Sequence, residues 1–397
     1  MGWPPGHVYY RVPGVNPAVI PVHEPVLGRA EAEALQRCLT AGDAGGHSPT
    51  VRAFEGAFAA RVGSQHGVAA ASGTAALHLA FAGLGIGPGD EVIVPSFTFA
   101  PCADMVNLVG ATPVLVDVDP ASFNLTPRSV LEAVTTHTRA VLAVHLYGHP
   151  CDLTGLAEVC AAEDLLLIED CAQGLGARHA HRPVGSVGAA ACYSFYANKV
   201  ITTGEGGMVT TDDADLAGRI RWLQRHAQIP DVGGAYVHTA VGFNDRMSAF
   251  AAAVGIAQLD RLDEFLERKA ANARRYTEAL SSVAGIRPPA PVGAADRHAH
   301  WAYAILVDPE LVAGGARGLG DALRAYGVET RGFYQPLHLH PGATERSRFA
   351  APLRVCETFA PNGLVLPSGN ALAASDVDHV ITVLAAYAAG AGSDRVR

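Results

Sequence analysis

The sequence predicts an α/β protein, with a large domain built on a mostly parallel sheet flanked by helices and a smaller α+β domain after it. Three observations predict this. Between about residues 25 and 250, short β-branched apolar runs alternate with helical patterns, as buried parallel strands joined by helical crossovers require. A chain of 397 residues is too long for one core, so two packed domains are expected. Hydrophobic residues make up 49% and charged residues 17%, enough apolar material for large cores and too much for a mainly disordered chain.

Taken in order, residues 1–24 read as an arm: Pro4, Pro5, Pro13 and Pro17 interrupt it without periodicity. The large domain is expected over residues 25–260. Ser72-Gly73-Thr74 opens an apolar helix reaching Leu84, whose lack of a polar face predicts burial all round. Gly83, Gly85, Gly87 and Gly89 form a turn after that helix. A dinucleotide fingerprint needs its glycines after a strand and before a helix, so a Rossmann reading is rejected. Glu91–Pro95, Pro113–Val118, Ala140–Tyr147, Leu165–Cys171, Ala190–Phe195 and Gly207–Thr211 read as buried strands. Thr126 and Pro127 suit an N-cap and first helical turn.

One long helix from Met247 to about Ser282 is expected to link this unit to a small domain over residues 261–397. Arg287-Pro-Pro-Ala-Pro reads as a linker, Tyr303–Val307 as a strand and Gly318–Tyr326 as a helix. Ser375, with Asp378 three residues later, predicts the cap of the last helix.

The charge balance narrows the class of function. There are 29 basic and 38 acidic residues, a net charge of −9, and no basic run, which disfavours nucleic acid or an anionic membrane surface as partner. Seven scattered cysteines, never spaced as C-x-x-C, read as buried reduced thiols. The His179/His181, His298/His300 and His338/His340 pairs lack spaced third and fourth ligands, so no metal site is expected. Met1-Gly-Trp-Pro-Pro-Gly lacks the charged and apolar regions of a leader, and no stretch of about 18 apolar residues follows. A cytoplasmic protein acting on small molecules is the expectation.

Of the 29 basic residues only Lys199 and Lys269 are lysines. Arginine replaces lysine wherever charge suffices, but it forms no Schiff base at neutral pH. Lys199 follows a strand in Ser194-Phe-Tyr-Ala-Asn-Lys199 and precedes the glycine-rich Thr203-Gly-Glu-Gly-Gly207, where its amine can reach a ligand. Lys269, in Glu267-Arg268-Lys269, reads as a surface residue. Asp170 ends an apolar strand, where α/β sheets place functional groups, and a cation such as a protonated pyridine nitrogen would offset its burial. Ser72, Gly73 and Thr74 offer hydroxyls and free N–H groups at a helix N-terminus, which suits either an ordinary cap or a phosphate cradle.

In these segments, and in Pro95-Ser-Phe-Thr-Phe99, Glu169-Asp-Cys-Ala-Gln173 and Gly242-Phe-Asn-Asp-Arg-Met247, the chain resembles the DegT/DnrJ/EryC1/StrS group of pyridoxal-phosphate sugar aminotransferases. The resemblance runs from about residue 20 to 390 and implies fold type I with a seven-stranded mixed sheet. It implies that Lys199 forms the Schiff base, Asp170 pairs with the pyridine nitrogen, Gln173 bonds the ring's 3-oxygen and Phe99 stacks on the ring. Ser72, Gly73, Thr74 and Ser194 would hold the phosphate. Asn244 would reach the phosphate of a neighbouring subunit's cofactor, which implies a homodimer with shared sites and allows a tetramer. L-glutamate is the implied amino donor in ping-pong exchange.

His145-Leu-Tyr-Gly-His-Pro-Cys-Asp152 and Leu364-Val-Leu-Pro-Ser-Gly369 look most like the perosamine synthase branch. That branch aminates GDP-4-keto-6-deoxymannose. The 3-amino isomer mycosamine, dTDP or UDP keto sugars, and cyclitol ketones are the alternatives; a non-catalytic regulatory protein is the reading from another class. Asp245 departs from the group's usual aromatic residue and is expected to pair with Arg246. Arg331 and His338, in Glu329-Thr-Arg-Gly-Phe-Tyr-Gln-Pro-Leu-His338, are the candidate substrate residues.

Overall fold

The computed structural model describes residues 19–230, 235–344 and 346–390, so residues 1–18 of the expected arm lie outside the described residues. Seven strands of the large unit share one sheet: β1 (His66–Ala70), β2 (Glu91–Pro95), β3 (Thr112–Val116), β4 (Thr138–Val144), β5 (Leu166–Asp170), β6 (Ala190–Ser194) and β7 (Gly207–Thr211). Strands β3, β2, β4, β5 and β6 run parallel in that order; β7 pairs antiparallel with β6, and β1 pairs antiparallel with β7 at the edge. Strand β1 carries Gly67, Ala69 and Ala70, a composition with little β-propensity, which is why its apolar pattern is weak in sequence.

The second sheet is antiparallel and has the order β8 (Ile286–Arg287), β9 (Tyr303–Val307), β12 (Gly363–Leu366), β10 (Arg331–Gly332). Strand β11 (Arg348–Phe349) leaves it and adds an eighth strand to the main sheet, parallel to β3, with Arg348 ion-paired to Glu91. The resemblance implied seven strands. Two residues are too few for a readable period, and only the tertiary contact makes them a strand.

Apolar side chains gather into two main cores. One surrounds the large sheet through Ile93, Leu115, Val141, Ile168 and Val209, and the other packs Tyr276, Tyr303, Ile305, Leu319 and Val380. The expected single helix over 247–282 is two helices, Ala249–Leu259 and Leu262–Leu280. Arg261 breaks it at φ −102°, ψ 4°, and Asp263 and Glu264 stand in the new first turn, where carboxylates complement the helix dipole. The second helix spans both cores: Phe265 and Leu266 face the first, Tyr276 and Leu280 the second.

Other local readings hold or shift by a turn. Thr126 and Ser72 cap their helices by accepting from Ser129 N and Ala75 N. In the last helix (Ala374–Ala388) the cap is Ala373, whose N–H donates to Asp376; Ser375 lies inside, and Asp378 pairs instead with Arg275. All seven cysteines are free and buried. Among the described residues no helix is long and apolar enough to cross a membrane.

Candidate active site

Strands β5 and β6 are parallel neighbours that end at Asp170 and Ser194, so both residues reach the carboxyl edge of the sheet, where α/β folds leave a crevice. The Ser72 turn between β1 and the Gly73–Gly83 helix meets the same edge. Gly73 is required there: a Cβ would stand 2.7 Å from Ser194 Cβ. Gly207 is required as well, since a Cβ would meet Ser72 O at 2.2 Å. After β6 the chain turns, with Lys199 N bonding Tyr196 O and Tyr196 bridging Gly204, and this turn aims Lys199 back into the crevice.

The result is a cavity of about 380 Å³ lined by Ser72, Gly73, Thr74, Phe99, Asp170, Gln173, Ser194, Lys199 and Arg331. A larger cavity of about 740 Å³ opens beside Arg274, Arg287 and His298, but none of the candidate catalytic, cofactor or substrate residues lines it. The chemistry therefore locates the site in the smaller one.

Two residues of the sequence constellation lie elsewhere. His338 does not line the cavity: its Nδ1 bonds Ser96 Oγ at 2.7 Å and its Nε2 meets Glu357 at 3.0 Å, so it ties a loop to the sheet. Asn244 is exposed and outside the cavity lining. Asp245 meets His78 at 3.4 Å rather than Arg246, whose guanidinium donates to Gln224 O.

Burial lowers the Lys199 amine to about 8, against the attraction of Asp170, which favours the ammonium. Near neutral pH a useful fraction is therefore free amine. Asp170 accepts from Ala172 N at 2.9 Å and from Cys102 Sγ at 3.1 Å. Burial, reinforced by the Asp170 charge, pushes the Cys102 thiol well up, so it stays protonated and donates. Tyr147 N donates to Gln173 Oε1 at 2.7 Å, which sets the amide so that its NH₂ meets Tyr334 Oη at 3.3 Å. Burial pushes Tyr334 up to about 12.

Trp301, Tyr334, Cys102 and Asn198 also line the cavity and were not singled out in sequence. Lys199 Nζ lies 4.6 Å from the centroid of the Trp301 ring. Asn198 and Tyr334 lie within quoted segments but carry no signal of their own there, and no local motif marks Trp301 or Cys102.

His145, Glu169 and Cys171 cluster behind the strand. The donors are already in use: Glu169 accepts from His145 Nε2, Gly185 N, Val187 N and Gly188 N, and His145 Nδ1 accepts from Cys151 N. Burial opposes the Glu169 charge, but the His145 and backbone bonds prevail and hold it below its usual range. The cluster is a hydrogen-bonded core buttress that leaves Asp170, next in the strand, facing the cavity.

The cavity suits a planar cationic heterocycle carrying a phosphate. With Ala75 N and Ala76 N bonded to Ser72, the Gly73 and Thr74 N–H groups remain as first-turn donors beside the Ser194 hydroxyl. Asp170 supplies an anion, Lys199 an amine, and Asn198 Oδ1 is buried without a hydrogen-bond partner among the described residues.

Comparison with known proteins decides the matter: the DegT/DnrJ/EryC1/StrS aminotransferase family matches residues 25–385. This chain belongs to that family. It is a pyridoxal-phosphate-dependent aminotransferase of fold type I. It is 40% identical over 331 residues to GDP-perosamine synthase of Caulobacter vibrioides, covering 83% of this chain and 88% of that protein. The dTDP-3-amino-3,4,6-trideoxy-alpha-D-glucose transaminase of Streptomyces venezuelae is 38% identical, covering 81% and 82%. Among solved structures, the aminotransferase TlmJ from Streptoalloteichus hindustanus superposes with a TM-score of 0.88 at 34% identity, covering 94% of this chain and 99% of that one.

Proposed function

We propose that this aminotransferase moves the amino group of L-glutamate onto a keto-deoxysugar carried by a nucleotide, with GDP-4-keto-6-deoxymannose as substrate and GDP-perosamine as product. The observation that carries the transfer is the convergence of Lys199, Asp170 and the Gly73 helix N-terminus on one cavity. The similarity to GDP-perosamine synthase over most of both chains supports the sugar.

Gly73 N, Thr74 N, Ser72 and Ser194 would hold the cofactor's phosphate, Asp170 its ring nitrogen and Gln173 Nε2 its 3-oxygen, with Phe99 against the ring. When bound, pyridoxal phosphate supplies an electron sink that acidifies the α-C–H of an amino donor. Lys199 Nζ takes that α-proton as general base in one half-reaction. By microscopic reversibility it delivers a proton to the sugar carbon as general acid in the other. Asp170, which accepts from Cys102 Sγ and Ala172 N, would hold a positive charge at the ring nitrogen of the bound cofactor. Arg331, half-exposed on the cavity lining with only a 3.9 Å ion-pair contact to Glu329 among the described residues, can bind the donor carboxylate or the diphosphate.

A homodimer, with Asn244 of each subunit completing the other's phosphate site, is the active unit in this reading; a further contact through the arm would make a tetramer. Seven free buried thiols fit a reducing, cytoplasmic setting. The dTDP-sugar transaminase similarity supports a second reading, amination of a dTDP-linked keto sugar. Turnover of GDP-4-keto-6-deoxymannose with L-glutamate, run beside dTDP- and UDP-keto sugars and inosose, tests the proposal. Selective consumption of the GDP sugar supports it, and turnover of another nucleotide sugar or of inosose alone overturns it.

A further inference from the structure

The second lysine is not on the surface. The helix Leu262–Leu280 buries Leu262, Phe265, Leu266, Lys269, Asn272, Ala273 and Tyr276, and Lys269 falls on that stripe at the helical spacing. No carboxylate lies within ion-pair distance of it among the described residues. Its Nζ donates to Ser368 O at 2.5 Å and Trp301 O at 3.3 Å. The titratable groups facing it are His23 and His300, both lowered chiefly by burial and so uncharged at neutral pH, His300 to about 4. Burial likewise lowers Lys269 to about 7.

An isolated buried cation destabilises a core, and a methionine would pack there more favourably. A methionine cannot join two carbonyls. Trp301 carries one of them, and its ring stands over Lys199 while Nε1 donates to Asn198 O at 2.9 Å. His23 stacks on the same ring at 4.9 Å. Ser368 carries the other carbonyl; its N–H donates to Val22 O and its hydroxyl accepts from Tyr303 N. Lys269 thus ties the segment around residue 22, the Trp301 segment and the Ser368 turn together behind the cavity wall.

We infer that Lys269 is a positioning residue that clamps the Trp301 and Ser368 carbonyls and so seats the Trp301 indole over the Lys199 amine. The inference rests on the reading of Lys199 as the reactive amine. Its chemical consequence follows from solvation: the indole is part of what keeps water from Lys199, and burial is the largest cause of that amine's lowered pKa. Asp170 and Cys102, which favour the ammonium, sit on other elements and are untouched by the clamp.

Having only two lysines makes the test clean. Cofactor-free protein is labelled with trace acetic anhydride across pH, and the Lys199 peptide is quantified by mass spectrometry. In the wild type the Lys199 midpoint is expected near 8. Lys269→Met should move it up by about one pH unit, roughly a tenfold loss of free amine at neutral pH. Trp301→Ala should move it in the same direction, and the double variant no further than Trp301→Ala alone. Lys269→Arg, which keeps charge and donors, should restore the wild-type midpoint. Lys269→Gln offers a shorter neutral donor, serves if the methionine variant does not fold, and should shift the midpoint partway.

An unmoved Lys199 midpoint in either neutral variant, folded by near-ultraviolet circular dichroism, overturns the clamp. So does a shift that adds to that of Trp301→Ala. Failure of wild-type protein to form an absorbing adduct with pyridoxal phosphate would overturn the functional reading instead, and the labelling result would stand.

Discussion

Cys102 Sγ donates to Asp170 Oδ2 at 3.1 Å, on the carboxylate that faces the active-site cavity. A thiol is a weak donor, yet here burial keeps it protonated and it supplies one of the two bonds to that carboxylate among the described residues. Cys102→Ala leaves the oxygen buried without its donor, a loss of about 1–3 kcal/mol. The thermal midpoint of cofactor-free protein should fall by several degrees and pyridoxal phosphate should bind more weakly. Cys102→Ser keeps a hydroxyl donor and should stay near wild type in both measurements.

Lys199→Ala should abolish the visible absorption band that wild-type protein forms with pyridoxal phosphate. Turnover should fall by at least about a thousandfold, since in the proposed mechanism the variant loses both the amine that would anchor the cofactor and the proton carrier. Absorption spectra before and after adding L-glutamate check this; a visible band that persists in the variant would show that another group carries the chemistry.

Stability should depend on pH through Lys269. Its pKa is about 7 in the folded chain, below the ordinary 10.5, so the unfolded chain binds more protons between those values and stability rises with pH there. The burden of the charge is full below about 7 and fades above it. Between pH 7 and 8.5 wild type should gain roughly 1–2 kcal/mol relative to Lys269→Met. Urea unfolding of both proteins at the two pH values reads the difference, and parallel curves would contradict it.

Arg331→Ala removes a guanidinium whose only ion-pair contact among the described residues is at 3.9 Å. If it binds the donor carboxylate, KM for L-glutamate should rise by roughly 10–100-fold with kcat changed far less. Arg331→Lys should recover only part of that loss, because an ammonium lacks the planar fork. A rise confined to KM for the nucleotide sugar would assign Arg331 to the diphosphate.

Much of the fold was legible because its signals are local. Buried parallel strands read as apolar runs whatever packs on them, and Ser72 and Thr126 cap helices through bonds to residues three positions on. Asp170 and the Ser72 turn stood out because each sits at a strand or helix end, Lys199 because lysine is so rare in this chain, and Gln173 through the family resemblance.

Other features required the assembled chain. The two-residue strand at Arg348–Phe349 exists only because β3 offers an open edge, and the helix break at Arg261 reflects carboxylates that begin a second helix. His338 ends the candidate segment in sequence, but its ring is claimed by Ser96 and Glu357.

What the sequence by itself determined was the α/β class and a candidate lysine and buried acid for the site, since both follow from residue type and element ends. Tertiary structure alone decided that Trp301, Tyr334 and Cys102 share that cavity and that Lys269 is buried beneath it. The periodicity of the Leu262–Leu280 helix put Lys269 on its apolar stripe, but a cation there reads as surface until two carbonyls, distant in sequence, are seen to receive it. Their approach is set by packing of separate segments, which no local pattern encodes.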